Sequence, residues 1–160
     1  MWRYLNNNDI QVIATDHDGW SIQQKKSSDR VDQMLAGMPQ LETYVTLLYS
    51  EGVRKGKISL NRLVEVCATN PAKLFGLYPK KGSIVVGSDA DIVVLDVEKE
   101  IEISAQDGYS RSDFDPYEGW KATGCPVMTF SRGELIMKDG LVLGEPGRGR
   151  LLKRNTFTPL

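Results

Sequence analysis

Histidine is almost absent from this chain: its 160 residues contain a single one, His17. A zinc site built on paired histidines therefore cannot be assembled from these residues alone. Cysteine is nearly as scarce. Cys67 and Cys125 stand far apart and form no C-x-x-C pair, which excludes a disulfide scaffold and a dithiol redox motif. A reducing, cytoplasmic setting is the expectation, with Cys67 a buried thiol on an apolar helical face. No apolar run approaches the roughly 18–20 residues that span a bilayer, so no membrane association is expected. Net charge is −1, which leaves no electrostatic footprint for nucleic acid. The basic residues Arg148, Arg150, Lys153 and Arg154 read as a solvated C-terminal tail. Internal repeats and low-complexity segments are also lacking.

What is present is an ordinary globular composition, 41% hydrophobic and 26% charged, in a chain long enough to bury a core. Residues 1–5 read as the end of a helix, and Asn6-Asn-Asn-Asp9 as a turn. Residues 10–14 are apolar and β-branched, the pattern of a strand buried on both faces. A long loop of mixed polarity follows over residues 19–40. Leu41, Tyr44, Val45 and Leu48 then fall on one helical face, ending near Gly52. Ser59 is a suitable N-cap for a helix with Leu60, Leu63, Val64 and Cys67 on its face. Asn70-Pro71 suggests the start of a further short helix that stops at Gly76.

Beyond Pro79 the pattern becomes β. Strands are expected at residues 83–86, 91–95, 101–104, 127–131, 134–138 and 141–143. Arg132-Gly133 and Asp139-Gly140 sit at hairpin spacing between the last three. The expected division is an α/β part over residues 1–80, an all-β part over 81–145 and a tail over 146–160.

Asp16 is the sharpest chemical candidate. A carboxylate just past the carboxyl end of a buried strand sits where α/β barrels build active sites, and there it could bind a metal or carry a proton. The alternative is an aspartate that caps the following loop. His17 reads as a structural hydrogen-bonding residue. Asp16, His17 and Asp18 could converge on one ion only if the chain turns there. Ser21, Ser27 and Ser28 lack a G-x-S-x-G setting. Gly82 to Asp89 lacks the lysine of a phosphate loop and reads as a turn. The acidic residues Asp113, Asp115 and Glu118 read as a polar loop.

Longer stretches carry a family likeness. They are Asp9-Ile-Gln-Val-Ile-Ala-Thr-Asp-His17, Gly37-Met-Pro-Gln-Leu-Glu-Thr43, Leu47-Leu-Tyr-Ser-Glu-Gly-Val53, Ile58-Ser-Leu-Asn-Arg-Leu-Val64 and Thr69-Asn-Pro-Ala-Lys-Leu-Phe-Gly-Leu77. Lys81-Gly-Ser, Asp89-Ala-Asp-Ile-Val-Val-Leu-Asp96, Ser112-Asp-Phe-Asp-Pro-Tyr-Glu-Gly119, Val127-Met-Thr and Gly144-Glu-Pro-Gly-Arg-Gly-Arg150 continue it. In this order the chain resembles the C-terminal portion of the hydantoinase/dihydropyrimidinase family of amidohydrolases.

The resemblance implies the terminal part of a metal-dependent-hydrolase (β/α)8 barrel followed by part of a β-sandwich, and a cyclic amide or imide as substrate. It implies two zinc or similar divalent ions that hold a hydroxide. Asp16 matches the aspartate after the eighth barrel strand, which binds one metal and shuttles a proton to the leaving nitrogen. Ala36 and Gly37 match a loop whose backbone holds the substrate ring, with Ala36 and Gln40 departing from the family's usual Asn and Gly. The family's His-x-His pair, its carboxylated lysine and two further metal histidines precede the eighth strand. The expectation is a C-terminal fragment of a cyclic-amide hydrolase that neither turns over nor holds the ions stoichiometrically by itself. Two rivals stand beside it. One is a metal-free scaffold relative that forms homotetramers; the other is one part of a split enzyme whose N-terminal half is a separate chain.

Overall fold

A computed structural model describes residues 1–156; the last residues of the expected tail, 157–160, lie outside the described residues. The helix expected at the start is present as α1 (Trp2–Asn6), and its Leu5 is fully buried. The loop expected over residues 19–40 contains a single helical turn, α2 (Ile22–Lys25), and a 3-10 turn at Val31–Gln33. The α2 turn was legible after all. Ser21 and Gln24 form a capping box: the Ser21 hydroxyl accepts the Gln24 N–H at 3.2 Å and the Gln24 side chain accepts the Ser21 N–H at 2.9 Å.

Two longer helices dominate the first half. One runs as an α segment Tyr44–Leu48 continued by a π-turn Tyr49–Val53. The other runs Leu60–Val64, then a π-turn Glu65–Thr69, then Asn70–Leu74. Ser59 caps it as expected, accepting the Arg62 N–H at 3.0 Å. Asn70, however, begins no new helix. It lies in helical geometry inside a continuous one, and Pro71 is accommodated by the π-turn before it.

The buried faces also differ from the apolar periodicity. On the first helix Thr46, Tyr49, Ser50 and Gly52 are buried, whereas Leu41 is 59% exposed. On the second, Arg62, Leu63, Val66 and Asn70 are buried, whereas Leu60 and Val64 are exposed. Packing against the sheet and against residues 10–13 selects these faces, and polar groups that find partners there count as interior.

The β part is a four-stranded antiparallel sheet in the order β1-β2-β3-β4: β1 (Ile92–Glu102), β2 (Lys121–Ser131), β3 (Glu134–Lys138) and β4 (Leu141–Val142). The strands expected at 91–95 and 101–104 are one bulged strand up to Glu102. Its register against β2 shifts between Asp96 and Glu100, where the Asp96 carboxylate accepts the N–H groups of Glu98 and Lys99. β2 starts earlier than expected, running through Gly124 and Pro126. Both hairpin turns are as read, with positive φ at Arg132, Gly133, Asp139 and Gly140.

Two expected strands are absent. Residues 83–86 bend into a turn in which Val86 is fully exposed, with the Ser88 N–H donating to the Val85 carbonyl at 3.1 Å. Residues 10–14 pair with no strand among the described residues. A β-branched run becomes a strand only where another chain segment completes its ladder.

Leu5, Tyr49, Ile58, Leu63 and Val66 form the core, with Ile10, Ile13 and Leu95 packed against it, so helices, the 10–13 segment and β1 share one interior. Gly124 is what lets the helix approach β2. Its φ is +95°, and a Cβ there would lie 2.1 Å from the Tyr49 ring. Of the basic tail residues, Arg150, Lys153 and Arg154 are exposed as expected, whereas Arg148 donates to the Ser131 carbonyl at 2.9 Å and to Glu134 at 2.7 Å, and the Asn155 N–H donates to the Gly76 carbonyl at 2.8 Å. No described helix is long and apolar enough to cross a membrane.

Candidate functional site

Residues 10–13 approach the second long helix and carry the chain to a sharp turn at Asp16, whose φ is +47°. Aspartate is among the few side chains that tolerate this left-handed geometry. The turn leaves the Asp16 side chain exposed. The next residues double back against the 34–40 loop: His17 and Met38 form a parallel bridge, and the Asp18 N–H donates to the Met38 carbonyl at 3.1 Å. His17 Nδ1 accepts the N–H groups of Gln40 and Leu41, both at 3.2 Å. That is the structural role expected of it, and it makes the ring a brace for the loop.

The structure thus brings Asp16 and Gly37 onto adjoining turns. Gly37 has φ +81°, and a Cβ there would lie 2.5 Å from the Asp18 Cβ and 3.1 Å from the Asp16 carbonyl oxygen. Only glycine permits this approach without displacing the 16–18 turn. Ala36 is exposed beside it. Lys25, which sequence reasoning passed over, fixes the loop from behind. Its ammonium donates to the Gly37 carbonyl at 2.8 Å and also to the Leu35 carbonyl. A lysine at the end of one short helical turn gives no sequence signal for that job.

Next to His17 lies a cavity of about 40 Å³, bordered by Glu42, Ser104, Ser110 and Asp115. Small-molecule sites measure roughly 300–1,000 Å³, so this space suits water rather than a substrate ring. The Glu42 carboxylate fills a backbone cradle, accepting the Tyr109 N–H at 2.8 Å and the Ser110 N–H at 2.7 Å. The acidic residues beyond it behave as the polar loop expected. Asp113 accepts the Ile22 N–H at 2.7 Å, Asp115 the Tyr117 N–H at 2.8 Å, and Glu118 the Ala105 N–H at 2.8 Å.

Burial holds the Asp115 carboxyl above its ordinary value, helped by the charges of Glu118 and Glu42 and opposed by the Tyr117 N–H. A raised folded pKa means the folded state binds the proton more tightly, so stability falls as pH rises through that window. Asp115→Asn keeps an oxygen for the Tyr117 N–H and removes the charge. The variant should unfold at higher urea than the parent at pH 7, and the advantage should vanish below the ordinary value of 3.8. Lower stability at pH 7 would contradict the assignment.

The thiols offer no nucleophile. Burial pushes both Cys67 and Cys125 up, away from the thiolate form. Nor do the donors fit a pair of metal ions. No group of three or more His, Cys, Asp or Glu side chains is placed to hold an ion among the described residues. His17 Nδ1 is already turned to two backbone N–H groups. One exposed carboxylate cannot bind two ions that each need several ligands.

Comparison with known proteins gives this geometry its context. The chain is 41% identical to a D-hydantoinase of Geobacillus stearothermophilus over 162 residues, and 40% identical to a D-phenylhydantoinase of Escherichia coli O1:K1 over 161 residues. A crystal structure of dihydropyrimidinase from Brevibacillus agri NCHU1002 superposes on 99% of the chain with a TM-score of 0.94 and 39% identity. In each case the match takes in nearly all of this chain but only 34% to 35% of the relative's length. The sequence profile of the amidohydrolase family matches residues 1–136, a span that includes the Asp16 turn, the Gly37 loop, β1, β2 and the start of β3. By sequence and by fold, the chain belongs to the amidohydrolase family.

Proposed function

We propose that this chain contributes the Asp16 carboxylate and the Ala36–Gly37 loop to an enzyme that opens a cyclic amide or imide ring by hydrolysis. The observation that carries the reading is the left-handed turn that exposes Asp16 while its carbonyl oxygen packs close to Gly37. In the reaction, water adds to the ring carbonyl and the C–N bond breaks. Asp16 accepts the proton of the attacking water at a carboxylate oxygen and returns it to the leaving nitrogen, so it ends as it began. The Ala36–Gly37 backbone, braced by Lys25 and His17, orients the ring against that carboxylate.

In this reading residues 1–80 are the last strand and terminal helices of a (β/α)8 barrel, 81–145 are part of a β-sandwich, and 146–160 are a tail. The segment 10–14 takes up its ladder when further barrel segments lie beside it. The metal ions of the full-length family are held chiefly by groups that this chain does not supply, and Asp16 adds one carboxylate to them. The proteins it resembles are named for hydantoin and dihydropyrimidine substrates, which supports a cyclic amide or imide as the small-molecule partner.

The direct test is to purify the 160-residue chain, measure bound metal after zinc loading, and assay ring opening of hydantoin and dihydrouracil. The expected result is substoichiometric zinc and no turnover above buffer. Turnover should appear only when a histidine-bearing polypeptide spanning the preceding two thirds of a hydantoinase is added. Stoichiometric zinc with turnover by the chain alone would overturn the reading.

A further inference from the structure

The segment that delivers Asp16 has no sheet partner among the described residues, yet side chains hold its backbone at Ile10, Gln11 and Ile13. Arg62 is 8% exposed, and each of its guanidinium nitrogens donates: Nε to the Leu5 carbonyl at 2.8 Å, Nη2 to the Ile10 carbonyl at 2.9 Å, and Nη1 to Glu65 at 2.8 Å. Asn70, 6% exposed, donates from Nδ2 to the Gln11 carbonyl at 2.9 Å. The Tyr44 hydroxyl, on the other long helix, donates to the Ile13 carbonyl at 3.3 Å.

The fourth contact comes from the helix backbone. In the π-turn Glu65–Thr69 the Asn70 N–H donates to the Glu65 carbonyl, five residues back. The same spacing would make residue 71 the donor to Val66, but residue 71 is proline and has no N–H. The Val66 carbonyl is left open, and the Ile13 N–H donates to it at 3.1 Å. Residues 62, 66 and 70 recur every four positions, so these contacts lie on one stripe of the helix.

We infer that Arg62, Asn70 and Tyr44 are positioning residues: with the open Val66 carbonyl they hold the 10–13 backbone and set the place at which residues 10–16 present Asp16. The functional meaning of that placement rests on the proposed role of Asp16; the clamp itself does not. Burial makes the device strict, since a buried donor or acceptor must keep its partner.

The test reads backbone order in the 160-residue chain by NMR. In the parent, the Ile13 amide should be protected from exchange, with N–H order parameters at residues 11–16 near the rigid value of about 0.85. Asn70→Asp keeps the side chain's size and loses the donor. It should speed Ile13 exchange about tenfold and lower the order parameters at 11–16 below about 0.6, while Leu63 and the β1–β2 amides stay as they were. Arg62→Lys, which loses the planar fork that meets the two carbonyls from separate nitrogens, should do the same.

If Asn70→Asp does not fold, Tyr44→Phe carries the test through a smaller change, about threefold, confined to the same residues. Unchanged Ile13 exchange, or equal acceleration in the helix and the sheet, would overturn the clamp. Asp16→Asn should alter none of these signals, so a failure of the clamp and a failure of the Asp16 assignment are separate results.

Discussion

Asp16→Asn in a ring-opening enzyme that contains this chain is expected to lower kcat by about 10²–10⁴-fold with little change in KM. The amide has the shape of the carboxylate but neither its charge nor its capacity to take a proton from water. The site also makes this substitution unusually clean. Asp16 sits at φ +47°, and asparagine is the residue best suited to replace aspartate in left-handed geometry. In the 160-residue chain its side chain is exposed, so there the exchange leaves no buried group unpaired. Initial rates on hydantoin and dihydrouracil, with a thermal unfolding curve for each variant, separate chemistry from stability. Turnover within about threefold of the parent, at unchanged stability, would remove Asp16 from the reaction and leave it as a loop residue.

Gly124→Ala is expected to damage the fold severely, costing about 2–6 kcal/mol. That range combines about 1–3 kcal/mol for a non-glycine residue at φ +95° with about 1–3 kcal/mol for overpacking. Against a typical domain stability of about 5–15 kcal/mol, such a loss takes most of the margin. The reason is local: the new methyl would occupy the Tyr49 ring, 2.1 Å away, where helix and β2 meet. Urea unfolding of the parent, Gly124→Ala, Tyr49→Ala and the double variant forms a cycle. The double variant should recover the overpacking part and keep the backbone strain. Strict additivity of the two single changes would show that the ring is not the obstacle.

These two residues also mark how far the sequence could be read. Asp16 was visible because its signal is contiguous: a short apolar run, then a carboxylate, within a stretch that resembles one family. Gly124 was invisible, and with Pro126 it hid the first part of β2, because a glycine's reason lies in a ring seventy-five positions earlier. Elements set by local chemistry were found where they were expected. The Ser59 cap and the strand Glu134–Lys138 between its two turns of positive φ are examples. The strands expected at 10–14 and 83–86 do not form among the described residues for one physical reason. Strand identity belongs to a pair of segments, and neither has a partner among the described residues.

The buried polar residues were misread in the opposite direction. Asn70 before Pro71 looks like a helix start, and Arg62 looks like a solvated face. Both instead hold the 10–13 backbone from inside the fold. By itself, the sequence determined the family likeness, the caps, the hairpin turns and the carboxylate worth testing, all of which depend on residues within a few positions of one another. Tertiary structure alone decided that Asp16 turns outward beside the Gly37 loop, that His17 braces that loop, and that a helix holds the 10–13 backbone behind the site. Each of those depends on which distant donor meets which carbonyl, a matter of partners rather than of pattern.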